Sequence, residues 1–559
     1  MKIALAQINP TVGDFSGNTK KILEYASRAA AQDADLVVFS ELAVCGYPPA
    51  DLLEKDSFVA RAVEAVAEIA QWTAVAERPA ILCGTVMPST ASVGKQVRNV
   101  AVLLLGGKIS FEQQKMLLPF YDVFDEQRYF EPAAKQTLTC VRGEPLAITV
   151  CEDAWNDKDF WKRPLYQVDP VEALMEQWVA QPGELAGHQR IILNISASPY
   201  WQGKELVRQK MLAALAERHG AFVVMVNQVG GNDSLVFDGS SLVIRPDGEV
   251  VARAASFAED LVLFDTHAGG AVLKGAAADE VAEMWKALVL GTRDYVRKCG
   301  FSKTLVGLSG GIDSALVAAI AVEALGAENV VGVGMPSEYS SLGSIEDARK
   351  LAKNLDVRFE LLPIHDVFAQ YRKVLEPLFA GTPFGLAEEN LQSRIRGALL
   401  MALSNKFGAL VLTTGNKSEM STGYCTLYGD MVGALAVIGD VMKTRVYALS
   451  RYVNQRREVI PWETIEKPPS AELRPEQRDT DSLPPYEVLD PILEAYVERY
   501  CSAEQIAEEQ AVDVELVRSV IRLVERSEYK RQQAALVLKV TKKSFGMGRR
   551  FPIAVKVQV

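Results

Sequence analysis

Residues 305–319 read LVGLSGGIDSALVAA: an apolar run, a small polar turn, then a second apolar run. Thr304–Leu308 is short and β-capable, and from Ser314 onward Ala, Leu, Val and Ile recur at helical spacing. A strand, a glycine turn and a helix N-terminus build an anion site. Backbone N–H groups and the positive end of the helix dipole converge there, and Gly310 and Gly311 let the backbone come close. Further β-capable runs follow at 329–336, 358–364 and 409–416, separated by helical patterns. The second half therefore reads as an α/β domain with a doubly wound parallel sheet. SGGIDS lacks the lysine that ends a Walker A loop, so γ-phosphate transfer by that route is not indicated. A turn with only a structural role stays open on these six residues alone.

The chain has 559 residues, room for two or three domains with cores of their own. With 49% hydrophobic and 23% charged residues it is neither disordered nor fibrous. A formal charge of -11 speaks against a nucleic-acid partner but leaves nucleotides open. The N-terminus, MKIALAQINP, is too short and too polar for a signal peptide. No stretch approaches the roughly 20 apolar residues that span a bilayer, so no membrane partner is expected. The seven cysteines are scattered without CxxC spacing, and the four histidines are equally dispersed. The expectation is a reduced, cytoplasmic protein with no structural zinc.

In the first half, β-rich runs at 3–8, 35–42, 80–86, 99–115, 146–152, 190–196 and 222–229 alternate with helix patterns at 18–32, 57–75 and 204–220. Residues 240–255 read as a hairpin around Asp247-Gly248. This is an α/β layered domain over 1–266, with a linker at 267–284 and the second domain at 285–559. The segment 466–491 is rich in proline and charge without periodicity, which suits an active-site cover or a tether. The charged segment 539–550, KVTKKSFGMGRR, reads as a solvated face.

Three residues of the first half stand at strand ends, where a side chain is held rigidly at a sheet rim. Glu41 follows LVVFS, Lys115 follows ISFEQQ and Cys151 follows LAITV. A lone cysteine there is more often a small core residue, and an isolated Glu or Lys is usually just solvated. Together they make a chemistry. A thiol of pKa about 8.5 needs a base or a cation to attack well. Glu41 supplies the base, and Lys115 stabilises charge developing on a carbonyl oxygen.

FSELAVCGYPPADLL, KMLLPFYDVFDEQRYF, ITVCEDAW and NISASPYWQGK resemble the four signature blocks of the nitrilase superfamily, in the version fused to ligases as a glutaminase. The resemblance implies a four-layer αββα sandwich and a Glu-Lys-Cys triad on Glu41, Lys115 and Cys151. Glu126 matches the superfamily's extra glutamate, and Tyr121, Ser198 and Lys204 match glutamine-binding positions. The stretch 156–189 is longer than the family's connection at that point, and no role is implied for it.

SGGIDS in turn resembles the pyrophosphate-binding loop of the N-type ATP pyrophosphatases. ENLQSRIRG (389–397), LTTGNKSEMSTGYCTLYGD (412–430), VMKTRVYAL (441–449), KPPSAELRPEQRDTDSLPPYEVLD (467–490), SEYKRQQAA (527–535) and FGMGRRFPI (545–553) follow in order. Taken with the first half they resemble the glutamine-dependent NAD synthetase family over essentially the whole chain. The resemblance implies ATP-dependent amidation of deamido-NAD with ammonia from glutamine, through an adenylate, giving AMP, pyrophosphate and glutamate. It implies ATP contacts at Gly307, Leu308, Ser309, Gly310, Gly311, Ile312, Asp313, Ser314 and Thr414. It places deamido-NAD at Asn390, Glu419 and Lys530, and Mg²⁺ at Asp313 and Glu419. Lys443 contacts a phosphate or is a surface lysine on a helix. Leu427 stands where ammonia-only relatives carry a lysine, so one dinucleotide contact is absent. The family also implies a homo-oligomer and an internal ammonia channel. Two alternatives remain: a glutamine amidotransferase of another carboxylate, and a tRNA-modifying ATP pyrophosphatase.

Overall fold

The computed structural model describes residues 1–181, 185, 187–268, 272–273, 279–475 and 477–556. The chain divides into two compact units, Met1–Ala278 and Asp279–Val559.

The first unit stacks two sheets. One runs in the order Asp260–Asp265, Lys2–Gln7, Leu36–Val38, Ala80–Pro88, Val97–Leu105, Lys108–Gln114. The other has seven strands, with Phe222–Asn227, Ile191–Ser196 and Glu144–Val150 side by side and parallel at its centre. Alternate residues of each central strand serve different cores, because successive side chains point to opposite faces. Ile3, Leu5, Leu36 and Val38 pack between the sheets against Ile148, Val150, Leu193 and Val224. Their neighbours Ala4, Ala6 and Val37 face outward and are covered by helices Phe15–Ala30 and Asp56–Trp72, through Ile22, Ala26, Ala62 and Ile69. On the far side Ala147, Ile192 and Val223 are covered by Pro170–Ala180 and Lys204–His219. Burial on both faces is why these strands read as continuous apolar runs rather than alternating ones. The four layers are the αββα sandwich.

The second unit holds one six-stranded sheet, ordered Arg358–Leu361, Val330–Gly334, Thr304–Gly307, Leu410–Thr413, Leu435–Ala436, Leu536–Val537, with every pairing parallel. In order of appearance this is 3-2-1-4-5-6. The chain reverses direction across the sheet between Thr304–Gly307 and Leu410–Thr413, and ligands of open α/β sheets bind beyond the carboxyl ends at such a switch point. Those two ends lead straight into SGGIDS and TTGNKSE.

Three expectations change. Most of the segment 267–284 lies outside the described residues, but Val272–Leu273 pairs with Val250–Arg253 and a helix starts at Glu280, so this stretch is not wholly a linker. Within 466–491 a helix begins at Tyr486 directly after Pro485, since proline suits a helix start. The segment 539–550 is not a solvated face: Lys539 and Arg549 are buried. Lys539 donates to the carbonyls of Thr541 and Lys542, and Arg549 pairs with Glu528 and Glu525.

Close approach of backbone fixes one strand end that matters below. A Cβ built on Gly84 falls 2.2 Å from Leu42 N and 2.6 Å from Glu41 Cα, and Gly84 N donates to Ser40 O at 3.1 Å. The turn carrying Glu41 thus rests directly on the bare backbone of Ala80–Pro88. Gly84→Ala is expected to destabilise the first unit by about 1–3 kcal/mol, which chemical denaturation checks.

Candidate active sites

Cys151 directly follows the strand Glu144–Val150 and sits at φ 45, in the left-handed region that non-glycine residues rarely occupy. Such a backbone is held only where its surroundings over-determine it. Here Asn194 Nδ2 donates to Cys151 O at 3.2 Å, and the Asp153 carboxylate ties the turn to its neighbours. Asp153 Oδ1 accepts from Met116 N (3.0 Å) and Leu117 N (2.8 Å), and Oδ2 accepts from Gln136 Nε2 (2.8 Å) and Val150 N (3.2 Å). One buried carboxylate therefore joins the Cys151 turn to the residues that follow Lys115.

Lys115 is fully buried. Its ammonium donates to Glu41 Oε1 at 2.7 Å and to Glu126 at 2.9 and 2.7 Å. Burial opposes its charge, but Glu126 and Glu41 outweigh burial and hold Lys115 well above its ordinary pKa. Glu41, also at 0% exposure, further accepts from Asn99 Nδ2 (2.7 Å) and Ala197 N (3.1 Å). Glu126 accepts from Tyr47 Oη at 2.9 Å; burial pushes it up to about 7, against the pull of Lys115. Burial and then the Glu41 carboxylate raise Cys151 well above its usual range, with Lys115 opposing. Burial thus favours a neutral Cys151 thiol, beside a carboxylate and a fixed cation.

Around this trio stand the remaining expected residues. Tyr121 Oη donates to Glu152 Oε1 and Oε2 at 2.9 and 3.0 Å. Ser198 is buried, its N–H donating to Asn227 Oδ1 at 2.8 Å. Lys204 donates to Pro199 O at 2.8 Å and lies over the Trp155 ring at 5.5 Å. Its charge also acts on Glu152.

In the second unit, the SGGIDS turn and Thr414 line a cavity of about 320 Å³ at the switch point, together with Glu419, Lys443 and Tyr447. Gly310 has φ +79, and a Cβ there falls 2.2 Å from Ser344 O, so only glycine fits. Ser309 and Ser314 hydroxyls lie 3.1 Å apart, and Gly311 N donates to Ser309 Oγ at 3.2 Å, shaping the loop. Lys443 is buried, not a surface lysine. It pairs with Asp313, lies 3.8 Å from Glu419 and 5.4 Å from the Tyr486 ring centroid. Burial lowers its pKa, but Asp313 and Glu419 outweigh this and raise it. Asn416 donates to Asp313 Oδ1 at 2.9 Å and caps the helix Lys417–Thr422 in a reciprocal bond with Glu419. Burial, then Asp313, push Glu419 up to about 8.

Asn390 and Lys530 are not brought to the cavity wall. Both grip its 423–426 edge: Asn390 Oδ1 accepts from Thr426 Oγ1 at 2.8 Å, and Lys530 Nζ donates to Gly423 O (2.7 Å) and Cys425 O (2.8 Å). Among the described residues no group of three or more Asp, Glu, His or Cys side chains could hold a metal alone. Two neighbouring carboxylates, one of them raised by the other, do suit a hard cation that completes its shell with substrate phosphates.

Sequence reading missed Glu152, Asp153 and Asn99 in the first site, and Asp479, Tyr486 and Arg396 in the second. Asp479 accepts from Tyr486 Oη at 2.8 Å and lines the cavity. Arg396 also lines it, anchored through Nε to Met335 O at 2.9 Å. The acidic pair after Cys151 was a visible signal; the others lie in no periodic pattern.

Comparison with known proteins follows the same division. The carbon-nitrogen hydrolase family model matches residues 2–163 and 184–269, and the NAD synthase model matches 284–534. A glutamine-dependent NAD(+) synthetase of Synechocystis sp. is 50% identical over 562 residues, covering 99% of this chain and 98% of that protein. One from Thermotoga maritima is 42% identical over 591 residues at the same coverage. The solved structure of glutamine-dependent NAD+ synthetase from Acinetobacter baumannii in complex with ADP is 40% identical, with a TM-score of 0.76, covering 99% of this chain and 98% of that one. Fold and family matches thus define a protein that carries a carbon-nitrogen hydrolase unit and an NAD synthase unit on one chain. It belongs to the glutamine-dependent NAD(+) synthetase family.

Glu126 gives this arrangement a pH signature. Its carboxyl titrates near 7 in the folded chain against an ordinary 4.5, so folding takes up a proton between those values. Its contribution to stability is full below about pH 4.5 and is lost as the pH rises through 7. In Glu126→Gln that slope should become shallower, and glutamine turnover should fall about 10²-fold as Lys115 loses one of its two anchors. Denaturation midpoints across this pH range check the first part and glutaminase assays the second. An unchanged slope contradicts the assignment.

Proposed function

We infer that the chain makes NAD from deamido-NAD, ATP and glutamine, as a glutamine-hydrolysing NAD synthase. The observation that carries this is the occurrence, in one chain, of a thiol beside a buried Glu–Lys–Glu cluster and a glycine loop at the switch point of a parallel sheet.

In the first half-reaction the Cys151 sulfur attacks the side-chain amide carbon of glutamine while Glu41 takes the thiol proton. Lys115 stabilises the negative charge on the carbonyl oxygen. The C–N bond breaks, the proton passes from Glu41 to the leaving nitrogen, and ammonia departs. Water, deprotonated by Glu41, then cleaves the thioester and releases glutamate with the thiol restored. Glu152 offers an anion to the substrate's α-ammonium. Lys204 offers a cation to its α-carboxylate, with Tyr121 and Ser198 completing the walls.

In the second half-reaction the nicotinate carboxylate of deamido-NAD attacks the α-phosphorus of ATP and displaces pyrophosphate. Ammonia then attacks the activated carbonyl, and AMP leaves with NAD formed. The backbone of 307–314, Thr414 and Lys443 receive ATP, while Asn390, Glu419 and Lys530 shape the deamido-NAD side. Mg²⁺ bound by Asp313 and Glu419 would neutralise phosphate charge. Lys443, already a fixed cation, is placed to exchange a carboxylate partner for a phosphate oxygen. We propose further that ammonia is handed over without dilution into water, where it is protonated and unreactive, and that copies of the chain assemble. All seven cysteines are free thiols, as suits the cytoplasm.

Cys151→Ala should lose glutamine-driven NAD formation by at least about 10³-fold and keep ammonium-driven formation. Coupled NAD assays with each nitrogen source check this. Wild-type protein that makes no NAD from either source overturns the reading.

A further inference from the structure

Residues 156–189 separate the Cys151 turn from the strand Ile191–Ser196, and their first part is tightly fastened. Asn156, 4% exposed, uses both sides of its amide on one short stretch. Its Oδ1 accepts from Leu165 N and Tyr166 N, each at 3.1 Å, and its Nδ2 donates to Tyr166 O at 2.9 Å and Val168 O at 2.8 Å. Asp157 accepts from Asp159 N at 2.8 Å and Phe160 N at 3.0 Å, and pairs with Arg218 at 3.1 Å. Three of Asn156's four bonds thus fix the backbone of Leu165 and Tyr166. Their result is to bring the Tyr166 hydroxyl to Glu152, where it donates to Oε1 at 3.1 Å beside the two bonds from Tyr121.

Glu152 is a buried carboxylate with two phenol donors. Burial raises its pKa, while the Lys115 charge, the bonds from Tyr121 and Tyr166 and the Lys204 charge lower it. The two phenols favour its ionised form and fix its plane. A substrate ammonium would add a direct ionic partner.

We propose that Tyr166 is a specificity-determining residue of the glutamine site, holding Glu152 charged and oriented for the α-ammonium of glutamine. The 156–169 segment is then part of that site, fastened there by Asn156. The proposal rests on the reading of Cys151 as the glutaminase nucleophile.

The test compares hydrolysis of glutamine with that of glutaramate, which has the same amide and carboxylate but no α-ammonium. Tyr166→Phe removes one hydroxyl. It should lower kcat/KM for glutamine about tenfold, chiefly through KM, and leave glutaramate turnover unchanged, the loss expected for one hydrogen bond to a charged group. The ratio of the two substrates therefore falls about tenfold as well. Asn156→Ala, which unfastens the same loop, should lower that ratio in the same direction. A chemical-denaturation midpoint close to that of the wild type reports that the first unit of each variant is folded. A ratio unchanged in Tyr166→Phe, or an equal fall for both substrates, overturns the proposal while leaving the glutaminase reading intact. Wild-type protein that does not hydrolyse glutamine overturns both.

Discussion

Burying an ammonium beside two carboxylates removes three charges from water, and only tight, fully hydrogen-bonded pairing offsets that loss. Lys115 lies between Glu41 and Glu126 under this constraint, and much of the first unit is arranged to meet it. Asn99 and Ala197 N satisfy the remaining lone pairs of Glu41, Tyr47 caps Glu126, and Gly84 lets the Glu41 turn settle onto the neighbouring strand. The second unit solves the same problem independently with Lys443 between Asp313 and Glu419. In each trio one cation faces two anions. In each, one carboxyl is raised, Glu126 to about 7 and Glu419 to about 8, by burial first and by the neighbouring carboxylate as well, against the pull of the lysine.

The shared motif stands in two different settings. Beside Cys151 it sets a carboxylate and an ammonium against a buried thiol. At the switch point it stands in a cavity where Lys443 joins Arg396 and Lys467 among the lining carboxylates Asp313, Glu419, Asp430, Glu472 and Asp479, in a chain whose formal total is -11. Overall charge limits which macromolecules a protein attracts; it says little about a cavity of this size.

The layers of both units were legible because their strands are buried on both faces and read as unbroken apolar runs, and because glycine turns and strand ends mark the rims. Glu41, Lys115, Cys151 and the SGGIDS turn all sit at such ends. What the sequence did not reveal depends on partners far away in the chain. Asn99, Asp153 and Asn156 are ordinary polar residues until their bonds are seen. Lys539 and Arg549 looked solvated because composition cannot show that each meets carbonyls or carboxylates in the interior. The start of the helix at Tyr486 was hidden by the prolines around it, although Pro485 stands at its N-cap. The role of Glu152 was half visible, in an acidic pair beside the nucleophile, but its second phenol arrives from a segment with no pattern of its own.

The central claim is that the Glu41–Lys115–Glu126 cluster, not thiol exposure, makes Cys151 reactive. The chain carries its own controls: Cys45 and Cys83 are buried thiols pushed up to about 12 by burial, and Cys140 and Cys299 are exposed. The most direct measurement is peptide mass mapping after brief treatment with an electrophilic glutamine analogue, with and without glutamine, in wild type and Lys115→Met. The account predicts that the label falls on Cys151 alone, that glutamine protects it, and that Lys115→Met abolishes it. Labelling that follows exposure, at Cys140 and Cys299 ahead of Cys151, or that persists without Lys115, would contradict it.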